Sequence, residues 1–243
     1  MLSESRQPEL TVLLPCLNEA STVGACVQVA RSALAQHDIH GEVLVVDNGS
    51  TDSSASLARA AGARVEVAPR RGYGAALLAG LSCARGTFVL MADADGSYDL
   101  SRPLVFLEPL RRGKLLVVGN RFRGGVAPGA MPVLNRWLGN PALSMLGRLL
   151  FPSDVRDFHC GIRAVHRQAA LGLGLRSPGM EFASELVARA VAAGWPVAEV
   201  PTTLAPDGRG RPSHLRPWRD GARHVRLLVQ VWAERHAPGE RKE

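Results

Sequence analysis

Cysteine is scarce and scattered: Cys16, Cys26, Cys83 and Cys160 are the four in 243 residues, and none stands in a CxxC pair. That spacing argues against a disulfide framework or a zinc site and fits a reducing cytosol. Aromatic side chains make up only 5% of the chain. With no stacking or groove-reading motif, a nucleic-acid-binding protein is disfavoured despite the net charge of +7. Long apolar runs are missing as well. The best stretches, ALSMLGRLLF (142–151) and VRLLVQVWA (225–233), contain arginine and fall short of the ~18 residues of a membrane span. The opening MLSESRQPEL has no basic stretch followed by an apolar core, so it does not read as a signal peptide. The expectation is a cytoplasmic protein that does not cross a membrane by itself.

Lysine is nearly absent too. Lys114 and Lys242 are the only two among 29 basic residues, and arginine is the better fork for phosphate oxygens. Charge is unevenly spread: residues 1–110 hold 8 basic and 12 acidic side chains, and residues 111–167 hold 10 and 2. An acidic first half followed by a basic middle suggests a metal-and-nucleotide half joined to one that meets phosphate.

What is present is a core, 46% hydrophobic, and a repeating rhythm. Short Val- and Leu-rich runs at 9–15, 42–47, 63–68, 87–93 and 114–119 alternate with helical stretches such as ASTVGACVQVARSALAQ and SSASLARAAG. This predicts an α/β protein with a mostly parallel sheet flanked by helices. HCGIRAVHR and WPVAEVPTTL read as further strands. NRWLGNPALSMLGRLLF reads as a helix broken near Pro141, and MEFASELVARAVAAG as a helix. APDGRGRPSHLRP is a basic loop, and WRDGARHVRLLVQVWAERH a basic amphipathic helix. The chain divides into a main domain over 1–215 and a carboxy-terminal helix and tail over 216–243.

In such sheets the ligand crevice lies past the carboxyl ends of the strands, where the polar motifs fall. PCLNEA turns into a helix; Glu19 either accepts hydrogen bonds from a ribose or base, or belongs to a helix start capped by Asn18. VVDNGSTDSS puts Asp47 just past a strand, suited to a nucleoside or to capping the next helix. RRGYGAAL places Gly72 and Gly74 where bare backbone can approach a phosphate, a weak signal alone. MADADGSYD crowds Asp93, Asp95 and Asp99 together after an apolar strand. Like charges so close repel unless a cation sits among them. Magnesium binds through one or two carboxylates and completes its shell with water and substrate phosphate. Asp93 and Asp95 are the candidate pair; Asp99 either contacts sugar hydroxyls or caps the following helix.

Through LPCLNEA, VVDNGSTD, RGYGAAL and MADADGS, in order and spacing, the chain resembles the family 2 glycosyltransferases of GT-A (Rossmann-like) fold. GNRF, NRWLGN, DFHCGIRA, MEFASEL and EVPTTL extend the likeness to the branch of dolichol-phosphate mannosyltransferases and bacterial polyprenyl-phosphate glycosyltransferases. The resemblance implies a nucleotide-sugar donor held by Pro15, Glu19, Asp47, Gly72 and Ala94. It implies Mg2+ or Mn2+ on Asp93 and Asp95, with Asp95 the more direct ligand. Arg121 and Arg136 would meet the sugar diphosphate and acceptor phosphate, and Arg209 or Arg211 the pyrophosphate. Asp157, Cys160 and Arg163 belong to the D..CG.R motif, which shapes the site or touches substrate.

Two motifs depart from the branch: the late loop reads PDGRGRPSHL in place of R..GESKL, and DADGSYD replaces DxDxQHxP. A lipid phosphate acceptor, with its second pKa near ~6, would be a dianion at neutral pH and need no general base. The alternative acceptor is a soluble hydroxyl, on a metabolite or antibiotic precursor, which would need one. Membrane contact would fall to the carboxy-terminal helix, through Leu227, Leu228, Val231 and Trp232 with Arg219, Arg223 and Arg226, or to a membrane-protein partner. The other use for that helix is packing on the core.

Overall fold

The run LTVLLPC forms β1 (Leu10–Cys16), buried at every position, because its Val and Leu side chains are covered on both faces of a central strand. The computed structural model describes residues 7–209 and 217–236. β2 (Gly41–Asp47) lies parallel to β1 in register Leu10↔Gly41 to Cys16↔Asp47, and β3 (Arg64–Val67) pairs parallel to β2. On the other side β1 pairs parallel with β4 (Phe88–Met91). Next come β6 (Arg163–His166) and, beyond it, β5 (Leu116–Asn120) and β7 (Val197–Pro201), giving the order β3-β2-β1-β4-β6-β5-β7. The order reverses between β1 and β4, and at such a switch point the flanking loops part and leave a crevice.

All seven strands correspond to runs read from the sequence, and the sheet is mostly parallel as expected. β6 is the exception, antiparallel to both neighbours. Strand periodicity carries no direction, so nothing local announces it. The consequence is that Arg163, at the start of β6, sits beside Met91 and Val118 at the carboxyl ends of β4 and β5.

The helices are α1 (Val23–Gln36), α2 (Ser54–Ala60), α3 (Tyr73–Cys83), α4 (Leu104–Arg111), the short turn α5 (Arg121–Gly124), α6 (Asn140–Leu150), α7 (Arg167–Gly172), α8 (Phe182–Ala192) and α9 (Pro217–His236). A π-helical turn, Asn135–Gly139, precedes α6, so the break expected near Pro141 falls there, with proline in the first turn of the new helix. On α8, Phe182, Leu186 and Ala190 are all buried, as their four-residue spacing predicts.

α9 uses its apolar residues inward. Leu228 and Val231 are buried and cluster with Phe151 at the end of α6 and Ala188 of α8. Burying a leucine contributes about 1.5–3 kcal/mol, so packing on the core takes the central part of the stripe offered for membrane contact. Arg219, Arg223 and Arg226 remain exposed. No helix among the described residues is long and apolar enough to cross a membrane.

Candidate active site

The turn after β1 is tied to the turn after β2. Asn18 adopts a left-handed conformation (φ 57°), and its Oδ1 accepts from the Thr51 amide at 2.7 Å. Asn18 is therefore a turn residue, not a helix cap; Thr22 precedes α1. The Glu19 amide donates to Ser54 Oγ at 2.7 Å. Pro15 is buried within β1. Asp47 ends β2, buried, with Oδ1 accepting from the Ser50 amide at 3.1 Å. Asn48 reaches the third motif: Oδ1 accepts from the Gly72 amide at 2.7 Å, and Nδ2 donates to the Arg70 carbonyl at 3.0 Å. Gly72 has φ 136°, where a side chain is strained, and it opens α3.

The acid pair follows β4. Asp95 is buried, and its Oδ1 accepts from the Ser97 amide at 2.9 Å. The Ala94 carbonyl accepts from Thr22 Oγ1 at 2.8 Å, clamping the loop to the start of α1. The Asp93 carboxyl is pushed up to about 6 by burial and by the charge of Asp95, against the Tyr73 hydroxyl, Arg209 and Arg163, which favour its ionised form. Gly161 backs Asp93 so closely that a Cβ there would lie 2.7 Å from Oδ2. Tyr98 Oη accepts from the Gly161 amide at 2.8 Å. Asp99 accepts from the Ser101 amide and hydroxyl, the turn-capping use of that residue.

Arg209 lies against this loop. Its Nη2 donates to Asp95 Oδ2 and lies 3.4 Å from Asp207 Oδ2, and Nη1 lies 3.3 Å from Glu19 Oε1. The segment that carries it is strapped down by Ala205 N to the Ser97 carbonyl and Gly208 N to the Asp95 carbonyl, each 2.9 Å. A guanidinium thus stands where carboxylates from three loops converge. Carboxylate oxygens are the ligand type of a hard divalent cation, but among the described residues no three acidic, histidine or cysteine side chains are grouped to hold one by themselves, so an ion here would have to complete its shell from water and substrate phosphate. Arg211, the other late-loop candidate, lies outside the described residues.

On the β5 side Arg121 is buried in a bidentate pair with Asp157, Nε to Oδ2 at 2.8 Å and Nη2 to Oδ1 at 2.7 Å. Asp157 is itself held by Glu199, whose Oε1 accepts from the Arg156 and Asp157 amides at 2.7 and 2.9 Å. Arg163 is buried and donates to the carbonyls of Ala183 and Cys160. The D..CG.R motif therefore shapes the site from behind. Arg136 stands on the π turn, half-buried, with Nη1 3.5 Å from the Val126 carbonyl and its guanidinium 5.4 Å from the Trp137 ring centroid. Among the described residues no hydrogen bond or ion pair joins it to Asp93, Asp95 or Arg121.

The buried thiols Cys16, Cys26 and Cys160 and the buried imidazoles His159 and His224 are held in their neutral forms. Burial pushes Cys16 and Cys26 up to about 11 and Cys160 up to about 12. Ser184 Oγ lies 3.2 Å from His159 Nδ1 and 2.7 Å from His224 Nδ1, and burial lowers both imidazoles, His224 to about 4.

Sequence reading named Glu19, Asp95 and Arg209 separately, and the fold brings them to one place. The same reading missed Tyr73, Asp207 and Glu199. Tyr73 lies inside the quoted RGYG motif, so only its partner was hidden; the other two act on residues far along the chain.

Comparison with known proteins fits this geometry. Residues 11–173 match the family described as Glycosyl transferase family 2. The low-salt glycan biosynthesis hexosyltransferase Agl6 of Haloferax volcanii is 36% identical over 91% of this chain and 53% of its own length. The chain therefore spans about half of that relative. The dolichyl-phosphate hexose transferase of the same organism is 30% identical over 96% of this chain and 98% of its own. Glucosyl-3-phosphoglycerate synthase from Mycobacterium tuberculosis, crystallised with Mn2+, UDP and glucosyl-3-phosphoglycerate, superposes with a TM-score of 0.68 at 22% identity, covering 96% of this chain and 82% of that one. With two thirds of its residues matched and the strand-end motifs in place, the chain belongs to glycosyl transferase family 2.

Proposed function

We propose that this glycosyltransferase moves a hexose, with inversion, from a nucleoside-diphosphate sugar of GDP-mannose or UDP-glucose type to the phosphate of a polyprenyl or dolichyl lipid. Pro15, Glu19, Asp47 and Gly72 hold the nucleotide, and the Ala94 backbone flanks the diphosphate. Asp93 and Asp95 hold Mg2+ or Mn2+, with Asp95 the more direct ligand. Bound there, the cation offsets charge on the leaving diphosphate. Arg209 faces that diphosphate, and Arg121 and Arg136 offset the repulsion between an anionic acceptor and an anionic donor. An acceptor phosphate oxygen forms the new bond to the anomeric carbon as the bond to the donor's β-phosphate breaks. The nucleoside diphosphate leaves with that electron pair.

The observation that carries this reading is the chemistry beside the acid pair. Arg121 and Arg163 are buried there, while the neighbouring His159 and His224 are held neutral. The full-length similarity to a dolichyl-phosphate hexose transferase supports the same acceptor class. The reaction would run on the cytoplasmic membrane face, with the protein peripheral or beside a membrane partner. Incubation with radiolabelled GDP-mannose, UDP-glucose or UDP-N-acetylglucosamine, polyprenyl phosphate and Mg2+ or Mn2+ tests it. Label is expected in the organic phase with at least one donor. Label that enters only water-soluble alcohols would replace this acceptor with the soluble one.

A further inference from the structure

The π turn and α6 bury one face and leave a second, apolar face bare. On the inner side of α6 sit small residues, Ser144 and Gly147, both buried. A Cβ at Gly147 would lie 2.8 Å from the Phe158 ring, so only glycine allows the close approach. Leu146 and Leu150 also pack inward, against the Phe151 cluster, but Val133, Leu134, Trp137, Leu138, Met145 and Leu149 are 53–75% exposed. Leu134, Leu138, Met145 and Leu149 recur at helical spacing, so this is a face and not a scatter. Soluble monomers rarely leave such a contiguous patch bare.

We propose that this face is a docking surface for an anionic lipid bilayer. Its charge argues for that occupant. Residues 122–153 contain three arginines and no acidic side chain; Arg123 and Arg148 are exposed, and Arg136 stacks on Trp137. A second copy docked on the same patch about a twofold axis would bring two sets of arginines together with no acidic partner from residues 122–153. A neutral apolar partner would bury guanidinium groups without partners. An anionic bilayer accommodates both features: aliphatic side chains enter the acyl boundary while arginine and tryptophan stay at the headgroups.

The face also has a direct structural route to the acceptor side. The Phe158 amide donates to Ser144 Oγ of α6 at 3.3 Å, and the preceding residue, Asp157, grips Arg121. Docking would hold the Arg121 loop against the membrane, where a lipid acceptor presents its phosphate. This part rests on the lipid-phosphate reading given above. It also moves membrane contact from α9, whose Leu228 and Val231 face the core, to the π turn and α6.

The test is co-sedimentation with extruded vesicles of phosphatidylcholine alone or of equimolar phosphatidylcholine and phosphatidylglycerol. The protein is expected to pellet with the mixed vesicles and stay in solution with the neutral ones. The double variant Leu138→Glu, Leu149→Glu replaces exposed side chains and should melt like the parent. It should bind mixed vesicles at least about tenfold more weakly, since two anchors are lost and like charge is added. Transfer to a short, water-soluble prenyl phosphate should be unchanged by the variant, and transfer to long-chain acceptor in vesicles should fall. Failure of all transfer to prenyl phosphates with vesicle binding intact would sink the acceptor reading and leave the docking surface standing. Vesicle binding that is absent, or equal in parent and variant, overturns the docking surface. So does a concentration-dependent dimer in sedimentation that the same variant dissolves.

Discussion

Arg209 bonds through Nη2 to Asp95, 114 residues away, and places its other terminal nitrogen on Glu19. A monovalent organic cation thus occupies a carboxylate that a divalent ion would need. The two compete. Arg209→Ala should therefore bind Mn2+ several-fold more tightly without donor, read as loss of the free-ion signal in paramagnetic resonance. The same variant should lose roughly 100-fold in kcat/KM, the scale expected when a charge-stabilising donor is removed. Unchanged donor-free Mn2+ affinity would mean that the contact does not screen the site.

Asp93 gives a pH signature. Its carboxyl is raised from 3.8 to about 6 by burial, then by Asp95. A raised carboxyl is favourable to the fold when protonated. Its contribution is complete below about 4 and is lost as pH rises through about 6. In chelator, Asp93→Asn should therefore melt higher than the parent at pH 8 and level with it at pH 4. One kcal/mol corresponds to about 2–4 °C for a chain of this size. Metal affinity of the parent should weaken as pH falls below about 6, because the ion must displace a proton. Equal melting of parent and variant at pH 8 would show that Asp93 carries no such burden.

The same two residues show what a sequence can and cannot disclose. Asp93 and Asp95 were legible because an apolar strand ended in carboxylates, and the strands because β1, β2 and β5 are Val- and Leu-rich. The direction of β6 was not, and with it went the burial of Arg163 between β4 and β5. Direction is settled by pairing with strands more than forty residues away. Asp207 and Glu199 were illegible for a related reason, as each acts on a group that only folding brings near. α6 was legible as a helix, but its close seating on Phe158 through Gly147 is a tertiary contact that no periodicity records.

The Arg121–Asp157 pair is buried, with side-chain exposure of 8% and 0%. Removing one member strands the other's charge. Asp157→Ala should cost about 3–5 kcal/mol in urea unfolding, the range for breaking a buried pair. Glu199→Gln leaves the ion pair and disturbs the Arg156 and Asp157 amides and the Asn120 side-chain amide that donate to Glu199, so it should cost less, about 1–2 kcal/mol. If both substitutions cost the same, the loop and not the ion pair sets the energy. Arg121→Lys keeps a charge but loses the fork, and should lower kcat more than stability.

His159, Ser184 and His224 connect the loop, α8 and α9 through one hydroxyl, with the imidazole centroids 4.7 Å apart. Two cations at that separation would repel, and burial already disfavours each. Asp220 pulls His224 the other way, and Arg163 adds to the lowering, leaving it at about 4. A depressed imidazole stabilises the fold fully above the ordinary value near 6.5, and the contribution disappears as pH falls through about 4. Between pH 6.5 and 4 the parent should lose the His224 contribution steadily, against the opposite drift from Asp93, and α9 should loosen first because it supplies His224. Amide hydrogen exchange of α9 relative to the core strands, read at each pH, would follow that loosening. His224→Asn retains a polar partner for Ser184 and has no proton to take up, so its stability should be flatter over this interval. A parent and variant that lose stability in parallel between pH 6.5 and 4 would assign the acid sensitivity to other groups.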